Sequence, residues 1–168
     1  AGDQITNDIA HALRTPTPEA EENKIRYGVA LQQLADPNEM FEVPGIGERG
    51  PRRLSRLALA DVIEPRVTEL FELIQSELKR SGYQELLSSG IVLTGGSSVM
   101  RGMVELGEEI FHMPVRLGMP KYAGSLSEVV QHPRYATAMG LLLEGMAQKK
   151  RGIQAHRTRT FRQVLGNM

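Results

Sequence analysis

A short apolar run that ends in two glycines constrains the fold of this chain more than any other stretch. Residues 91–93, Ile-Val-Leu, include two β-branched side chains, which is typical of a strand buried on both faces. Gly95 and Gly96 then end the strand, because glycine allows a sharp turn and a close approach to a ligand. The two serines that follow offer hydroxyls to the free N–H groups of a helix predicted over residues 101–112. This order of strand, glycine pair, hydroxyl pair and helix is one way in which α/β proteins place backbone N–H groups beside a nucleotide or phosphate.

The same stretch is also compatible with an ordinary strand-to-helix turn in which the serines cap the helix. It lacks the third spaced glycine of the dinucleotide fingerprint, and no Gly-Lys-Ser/Thr follows as in a P-loop. The stretch alone therefore leaves both a nucleotide site and a plain turn open.

Hydrophobic spacing predicts the other elements. We expect helices from Asp3 to Leu13, from Pro18 to Leu34, up to Ser81 and Gly82, and from Pro133, together with a hairpin of residues 40–43 and 52–55 and a strand over residues 114–117. The positions predicted to face the core are Ile5, Ile9, Ala12, Leu13, Ile25, Val29, Ile63, Val67, Leu70, Phe71, Ile74, Leu78, Met103, Leu106, Gly107, Ile110, Ala136, Met139, Gly140, Leu142 and Leu143. The order of these elements suggests an α/β body with an inserted lobe over about residues 18–87.

The charge is distributed unevenly along the chain. The 168 residues carry no net charge, but residues 148–168 contain six basic residues and no acidic one, against 14 basic and 20 acidic residues before them. Such a block is usually an interaction tail for an anionic surface, or is simply solvated. The chain contains no cysteine, which excludes disulfides and thiolate metal sites, and its four histidines show no metal-ligand spacing.

The end of the basic tail also carries an apolar stripe. Phe161, Val164, Leu165 and Met168 fall at i, i+3, i+4 and i+7. This spacing predicts the first two turns of an amphipathic helix that lies in a membrane interface, and the alternative is a disordered basic tail. Because Phe161 is the tail's one aromatic residue, base-stacking platforms are missing and we expect no nucleic-acid partner.

Two further groups of charged residues are candidate sites. Glu21 and Lys24 are three residues apart on the second predicted helix, which on spacing alone favours a surface ion pair. A basic cluster flanks the glycine-rich loop of residues 44–51, and it is either a solvated surface or a docking surface for an acidic peptide. Its members are Arg49, Arg52, Arg53 and Arg56.

Several stretches together resemble the FtsA family of cell division proteins, within the actin and sugar-kinase ATPase superfamily. The similar segments are residues 2–10 (GDQITNDIA), 17–28 (TPEAEENKIRYG), 43–44 (VP), 61–66 (DVIEPR), 93–97 (LTGGS) and 136–142 (ATAMGLL). Each motif alone is loose, but their order and spacing are specific, and the resemblance covers residues 1–147.

The resemblance implies an α/β, actin-like ATPase fold, of which this chain is a C-terminal fragment that holds the second domain only. Residues 1–16 and 88–147 would form the inner subdomain, and residues 17–87 an inserted outer lobe of α+β type. Residues 148–168 would be a basic tail that leads into a truncated membrane-targeting amphipathic helix.

The resemblance also implies that ATP and Mg²⁺ are held between two halves of the whole protein. The glycine pair and Ser97 would lie against the ribose and α-phosphate, and Met100 near the adenine. Ala1 stands where the family has glycine, and the half that supplies the phosphate loops and the metal-site acids is absent. We therefore expect this chain by itself to bind ATP weakly or not at all. The residues that match the family's nucleotide site are Gly2, Asp3, Glu21, Lys24, Gly95, Gly96, Ser97 and Met100.

The implied function is that of an adaptor rather than an enzyme, with weak ATP hydrolysis at most. Such a protein would bind the C-terminal tail of FtsZ, self-associate into actin-like filaments, contact other division proteins, and bind anionic lipid on the cytoplasmic face of the inner membrane at the septum. We expect Arg53 or Arg56 to contact the acidic FtsZ tail. The alternative is a sugar-kinase-like phosphotransferase of the same superfamily, which would need a catalytic aspartate and a sugar pocket outside these residues.

Overall fold

The computed structural model describes residues 2–44, 50–121 and 127–151, and over these residues helices and two short sheets alternate. Short 3-10 turns lie at Gln32–Leu34, Gln84–Leu86, Gly96–Val99 and Pro133–Tyr135. The strands are β1 (Met40–Val43), β2 (Arg52–Ser55), β3 (Ile91–Leu93) and β4 (Val115–Leu117). The helices are α1 (Gly2–Ala12), α2 (Thr17–Tyr27), α3 (Arg56–Ser81), α4 (Met103–Phe111), α5 (Ser127–Val130) and α6 (Ala136–Lys150).

The four strands form two separate pairs. β1 and β2 are antiparallel, with Phe41 opposite Leu54, so the predicted hairpin is confirmed. β3 and β4 are parallel, with Ile91 opposite Val115, and α4 is the crossover between them. A parallel pair needs such a crossover because the chain must return to the same end of the sheet.

The core lies where α1, α2 and α4 pack around α3. Phe71 of α3 and Phe111 of α4 are both buried, and their ring centroids are 5.2 Å apart. Ile9 of α1 is also fully buried. The spacing predicted Ile9 and Phe71 correctly, but it missed Phe111, which lies one position beyond the predicted stripe of α4.

The long helix α3 is bounded by local chemistry. The hydroxyl of Ser55 accepts a hydrogen bond from the Ala58 N–H at 3.2 Å, which satisfies one of the free N–H groups of the first turn. The helix ends before Gly82, as predicted. Arg66 Nη2 lies 3.1 Å from Asp8 Oδ1, so an ion pair joins α3 to α1.

The second helix is shorter than predicted. It ends at Tyr27 instead of Leu34, because the Ala30 N–H bonds the Arg101 carbonyl at 2.8 Å and the chain around Val29 pairs with Arg101. Ile25, predicted to face the core, is 73% exposed. The competing backbone partner on another segment therefore decides where this helix stops.

Other predicted core positions are exposed because too little of the described chain covers them. Val92 of β3 is 47% exposed, so this strand is not buried on both faces. Gly140, Leu142 and Leu143 of α6 are exposed, and Met139 is the buried residue of this helix. Ala12, at the last turn of α1, and Ile74, in the outer half of α3, are exposed as well.

Some predictions are not reached by the structure. Among the described residues no helix combines the length and apolarity that a membrane crossing requires. The division into residues 1–16 with 88–147, 17–87 and 148–168 stays a prediction. Arg49 and the tail residues Phe161, Val164, Leu165 and Met168 lie outside the described residues.

Candidate functional site

A cavity of about 600 Å³ lies between the start of α1, one face of α2 and the turns that follow β3 and precede α6. It collects most of the residues predicted for a nucleotide. Gly95 precedes the wall residue Gly96 and has φ 97°, a conformation that glycine adopts readily and other residues rarely do. The predicted residues that line the cavity are Gly2, Asp3, Glu21, Lys24, Gly96, Ser97 and Met100.

The amino group of Lys24 joins two of these wall segments, α1 and α2. Its Nζ donates to the Gly2 carbonyl at 3.1 Å, to Thr6 Oγ1 at 2.8 Å and to Glu21 Oε2 at 2.6 Å. The Lys24 side chain is 8% exposed, and an ammonium has three protons to donate, so each of them has an acceptor. Lys24 therefore fixes the start of α1 against α2 and holds the Glu21 carboxylate at the cavity wall.

The Glu21 carboxylate is kept ionised by this arrangement. Partial burial alone would raise its pKa, but the hydrogen bonds from Lys24 and Thr6 and the Lys24 charge outweigh that effect. The pKa of Glu21 therefore lies below its usual value of 4.5. At neutral pH the wall presents a carboxylate, which accepts hydrogen bonds and does not donate them.

Gly2 lets α1 approach the turn after β3. A Cβ placed at residue 2 would lie 2.7 Å from Ser97 Oγ, which is closer than two such atoms come without movement. Any larger residue would therefore force either the Ser97 side chain or α1 to move. The close contact brings residues that are far apart in the sequence to one wall.

The turn after β3 is built differently from the prediction. Residues Gly96–Val99 form a 3-10 turn, and the Ser98 hydroxyl donates back to the Gly95 carbonyl at 2.7 Å. Helix α4 begins at Met103, and Gly102, not a serine, stands at its N-cap position. The prediction that the serines cap the helix is wrong. The chain around Arg101 pairs with the segment after α2, and the helix begins only after this pairing.

Sequence reasoning missed six cavity residues, which are Ile25, Arg26, Gly28, Val99, Arg101 and Arg134. Ile25 and Val99 are exposed apolar side chains of the wall, and Arg101 and Arg134 are cationic ones. A signal for Ile25 was present in the sequence. Positions 21, 24, 25 and 28 stand at i, i+3, i+4 and i+7, so a helix places Ile25 on the same face as Glu21 and Lys24. The signal for Arg134 is only visible in the fold.

The predicted basic cluster divides into two kinds of arginine. Arg52 and Arg53 are exposed on β2. Arg56 instead donates to the Glu39 carboxylate at 2.6 Å and to the Tyr27 carbonyl at 2.9 Å, and it lines the cavity. The structure therefore does not present Arg56 on the same exposed surface as the other two.

The described part of the chain offers few ligands for a metal ion. Within the described ranges, no group of three histidine or acidic side chains is placed to hold a metal ion. These described residues therefore do not fit a Mg²⁺ site by themselves.

Comparison with known proteins gives a consistent family. The model of the family described as "Cell division protein FtsA" matches residues 1–140. The chain is 60% identical to the cell division protein FtsA of Pseudomonas aeruginosa, over 91% of this chain and 37% of that protein. It is 43% identical to the Escherichia coli K12 protein of the same name, over 86% of this chain and 36% of that protein. The chain thus spans little more than a third of the length of these relatives.

Solved structures show the fold. The structure of MreB5 of Spiroplasma citri bound to ADP superposes with a TM-score of 0.69 at 16% identity, covering 92% of this chain and 47% of that one. The AMPPNP-bound structure of the same protein gives a TM-score of 0.67 at 17% identity, over 90% and 45% of the two chains. The predicted actin-like fold, present here as a part of a longer architecture, is confirmed.

Proposed function

The chain belongs to the FtsA family of cell division proteins, and from that premise we propose that it is part of a nucleotide-binding adaptor of the division ring. The whole protein would bind ATP with Mg²⁺, self-associate into actin-like filaments and tether FtsZ to the inner membrane at the septum, with weak ATP hydrolysis at most. Because the chain spans 37% of its Pseudomonas relative, these activities are proposed for the whole protein. The described residues would contribute one wall of the nucleotide site and a docking surface.

The observation that carries the nucleotide proposal is the convergence on a single cavity. Residues of α1, α2 and the turn after β3, far apart in the sequence, line the same space of about 600 Å³. The MreB5 structures that share this fold were obtained with ADP and AMPPNP, which supports a nucleotide as the ligand.

The chemistry of the wall fits the parts of a nucleoside. Glu21 presents an ionised carboxylate, which would accept hydrogen bonds from the ribose hydroxyls. Ile25, Val99 and Met100 supply apolar surface, on which the flat adenine ring would lie. Gly96 leaves its part of the wall without a side chain, so the backbone would approach the ribose and α-phosphate.

The decisive experiment fills the space beside Gly96. In the full-length protein, Gly96→Val should abolish ATP binding in titration calorimetry, because the new side chain would occupy the place of the ligand. The φ of Gly96 lies outside the left-handed region, and among the described residues an added Cβ would meet only Arg134 Cβ, at 3.9 Å. The variant should therefore fold, and circular dichroism would verify this.

Gly140→Val is the matched control. An added Cβ at Gly140 has nothing within 4 Å, and this residue is not part of the cavity wall. The control should bind ATP as the wild type does. Unchanged ATP affinity in Gly96→Val would contradict the site assignment.

For the FtsZ tail, we propose a docking surface around the exposed arginines of β2. Arg52 and Arg53 are exposed, whereas Arg56 is already bound to Glu39. Carboxylates of an acidic tail would form charge-assisted hydrogen bonds to these two guanidinium groups, which form no ion pair with another described residue. A double change of Arg52 and Arg53 to Ala should weaken binding of an FtsZ tail peptide in fluorescence anisotropy, most strongly at low salt. Equal binding by the double variant across salt concentrations would place the surface elsewhere.

For the membrane, the proposal rests on the sequence of residues 148–168. Six cations without an acid would be attracted to an anionic leaflet by about 1 kcal/mol each near the surface. Vesicle co-sedimentation should show weak, salt-sensitive binding that requires anionic lipid and disappears when residues 149–168 are deleted. Binding that survives the deletion would contradict the proposal.

A further inference from the structure

Two of the cations around the cavity have no ionic partner in the described part of the chain. Lys24, Arg26 and Arg56 each contact a carboxylate, at 2.6, 2.9 and 2.6 Å. Arg101 and Arg134 also line the cavity, but within residues 2–44, 50–121 and 127–151 they form no ion pair. A free guanidinium at a concave wall is a ready partner for an anion, because its planar fork matches carboxylate and phosphate geometry.

The carboxylates of the wall leave this positive charge largely uncompensated. Glu21 is bound by Lys24, which cancels its charge locally. Asp3 is the other acidic wall residue, and the wall also contains two arginines that form no ion pair with a described residue. The cavity therefore favours a ligand with negative charge.

Arg134 is held next to the glycine turn by backbone contacts. The Gly95 N–H donates to the Pro133 carbonyl at 3.2 Å, so the turn before α6 is tied to the turn after β3. The Arg134 N–H donates to His132 Nδ1 at 3.2 Å, which fixes the backbone at this position. The Cβ of Arg134 lies 3.9 Å from where a Cβ of Gly96 would be.

Arg101 lies on a different part of the wall. Its carbonyl accepts the Ala30 N–H at 2.8 Å, at the place where the end of α2 meets the chain before α4. Of the two arginines, Arg134 is therefore the one that lies next to a ligand group resting on the Gly96 backbone.

We propose that Arg134 is a nucleotide-contacting residue whose guanidinium binds the phosphate attached to the ribose. The inference rests on the proposed nucleotide site and names one more of its ligand contacts. Gly96 would admit the phosphate by lacking a side chain, and Arg134 would supply the charge that the glycine turn lacks. The site would then discriminate nucleotides from nucleosides through this arginine.

The test compares nucleotide and nucleoside in the full-length protein. Affinities for ADP, AMP and adenosine are measured by competition against a fluorescent ATP analogue. Arg134→Gln should lower the affinity for ADP and AMP by about tenfold or more, which is the effect of losing a hydrogen bond to a charged group. The affinity for adenosine should change by less than about twofold, since adenosine has no phosphate. Raising the salt concentration should narrow the difference between variant and wild type.

Two controls separate this contact from general attraction. Arg80→Gln removes a cation that lies outside the cavity wall and is paired with Glu77, and it should leave ADP binding within about twofold of the wild type. Arg134→Lys keeps the charge but loses the fork, and it should recover part of the lost affinity.

Three results would overturn the inference. If Arg134→Gln leaves the ADP affinity unchanged while Gly96→Val abolishes binding, Arg134 does not contact the nucleotide, although the proposed site is supported. An equal loss for adenosine and ADP would show that Arg134 contacts the base or sugar. A wild type that binds no nucleotide would contradict both proposals together.

Discussion

The contact between α3 and α4 and the surface of α6 are both apolar in sequence, but the first is buried and the second is exposed. In the first region Phe71 and Phe111 are each 1% exposed, and their rings pack against one another at an interplanar angle of 46°. In the second, Leu141 is 71% and Leu142 is 59% exposed. The two regions differ in neighbours: α3 is surrounded by α1, α2 and α4, whereas the main packing partner of α6 among the described residues is the turn at Pro133–Tyr135.

This difference teaches what a hydrophobic pattern reports. Apolar side chains lie on most sides of α6 between Met139 and Met146, a pattern that belongs to a helix covered all round. The pattern is a property of the residues, but burial is a property of the contacts that the rest of a structure provides. The described residues provide them around α3 and not around α6.

The largest effect should come from the packed region. Phe71→Ala removes a ring that is fully buried against Phe111, and we expect it to lower the free energy of unfolding by about 3–5 kcal/mol. Urea denaturation followed by circular dichroism would measure this. A loss below about 1 kcal/mol would mean that the α3–α4 contact is loosely packed, and the comparison would fail.

A smaller, pH-dependent effect is expected at the margin of the packed region. The pKa of Glu21 is lowered in the folded chain, because the Lys24 and Thr6 hydrogen bonds outweigh the effect of burial. A lowered pKa stabilises the fold fully above the ordinary value of 4.5, and this contribution is lost as the pH falls through the lower folded value. The wild type should therefore be more stable than Glu21→Gln at neutral pH, and the difference should shrink below pH 4.5.

Solvent reduces the size of this effect, because 43% of the Glu21 side chain is exposed. Urea midpoints of both variants between neutral and acidic pH would measure it. Glu22→Gln is a suitable control, since Glu22 pairs with Arg26 on the exposed side of the same helix. A difference between wild type and Glu21→Gln that stays constant on acidification would contradict the pKa direction.

The sequence correctly predicted those features of the fold that depend on local chemistry and on contacts within these residues. The hairpin, the end of α3 at Gly82 and the core positions Ile9, Ile63 and Phe71 are of this kind. What failed depends on segments distant in the chain. The pairing with Arg101 sets the end of α2. Leu142 is exposed because no other described segment covers it.

The candidate site divides in the same way. Residues predicted from the family resemblance, such as Lys24 and Gly96, do meet at one cavity. Ile25 was assigned to the core, although its spacing from Glu21 and Lys24 already placed it on their face of the helix. Arg134 had no signal in the sequence, because only the fold brings the turn before α6 against Gly96.

The smallest effect should come from α6, where the comparison is sharpest. Leu142→Asn replaces an apolar side chain that is already 59% exposed, so little apolar surface returns to water on unfolding. Leucine and asparagine differ by a few tenths of a kcal/mol in helix propensity, and the position is in the middle of α6. We therefore expect a change of less than about 0.5–1 kcal/mol in the free energy of unfolding of this chain, several times below that of Phe71→Ala. The same urea titration would measure both variants. A loss of stability as large as that of Phe71→Ala would show that Leu142 is buried in solution, and the two regions would then no longer differ.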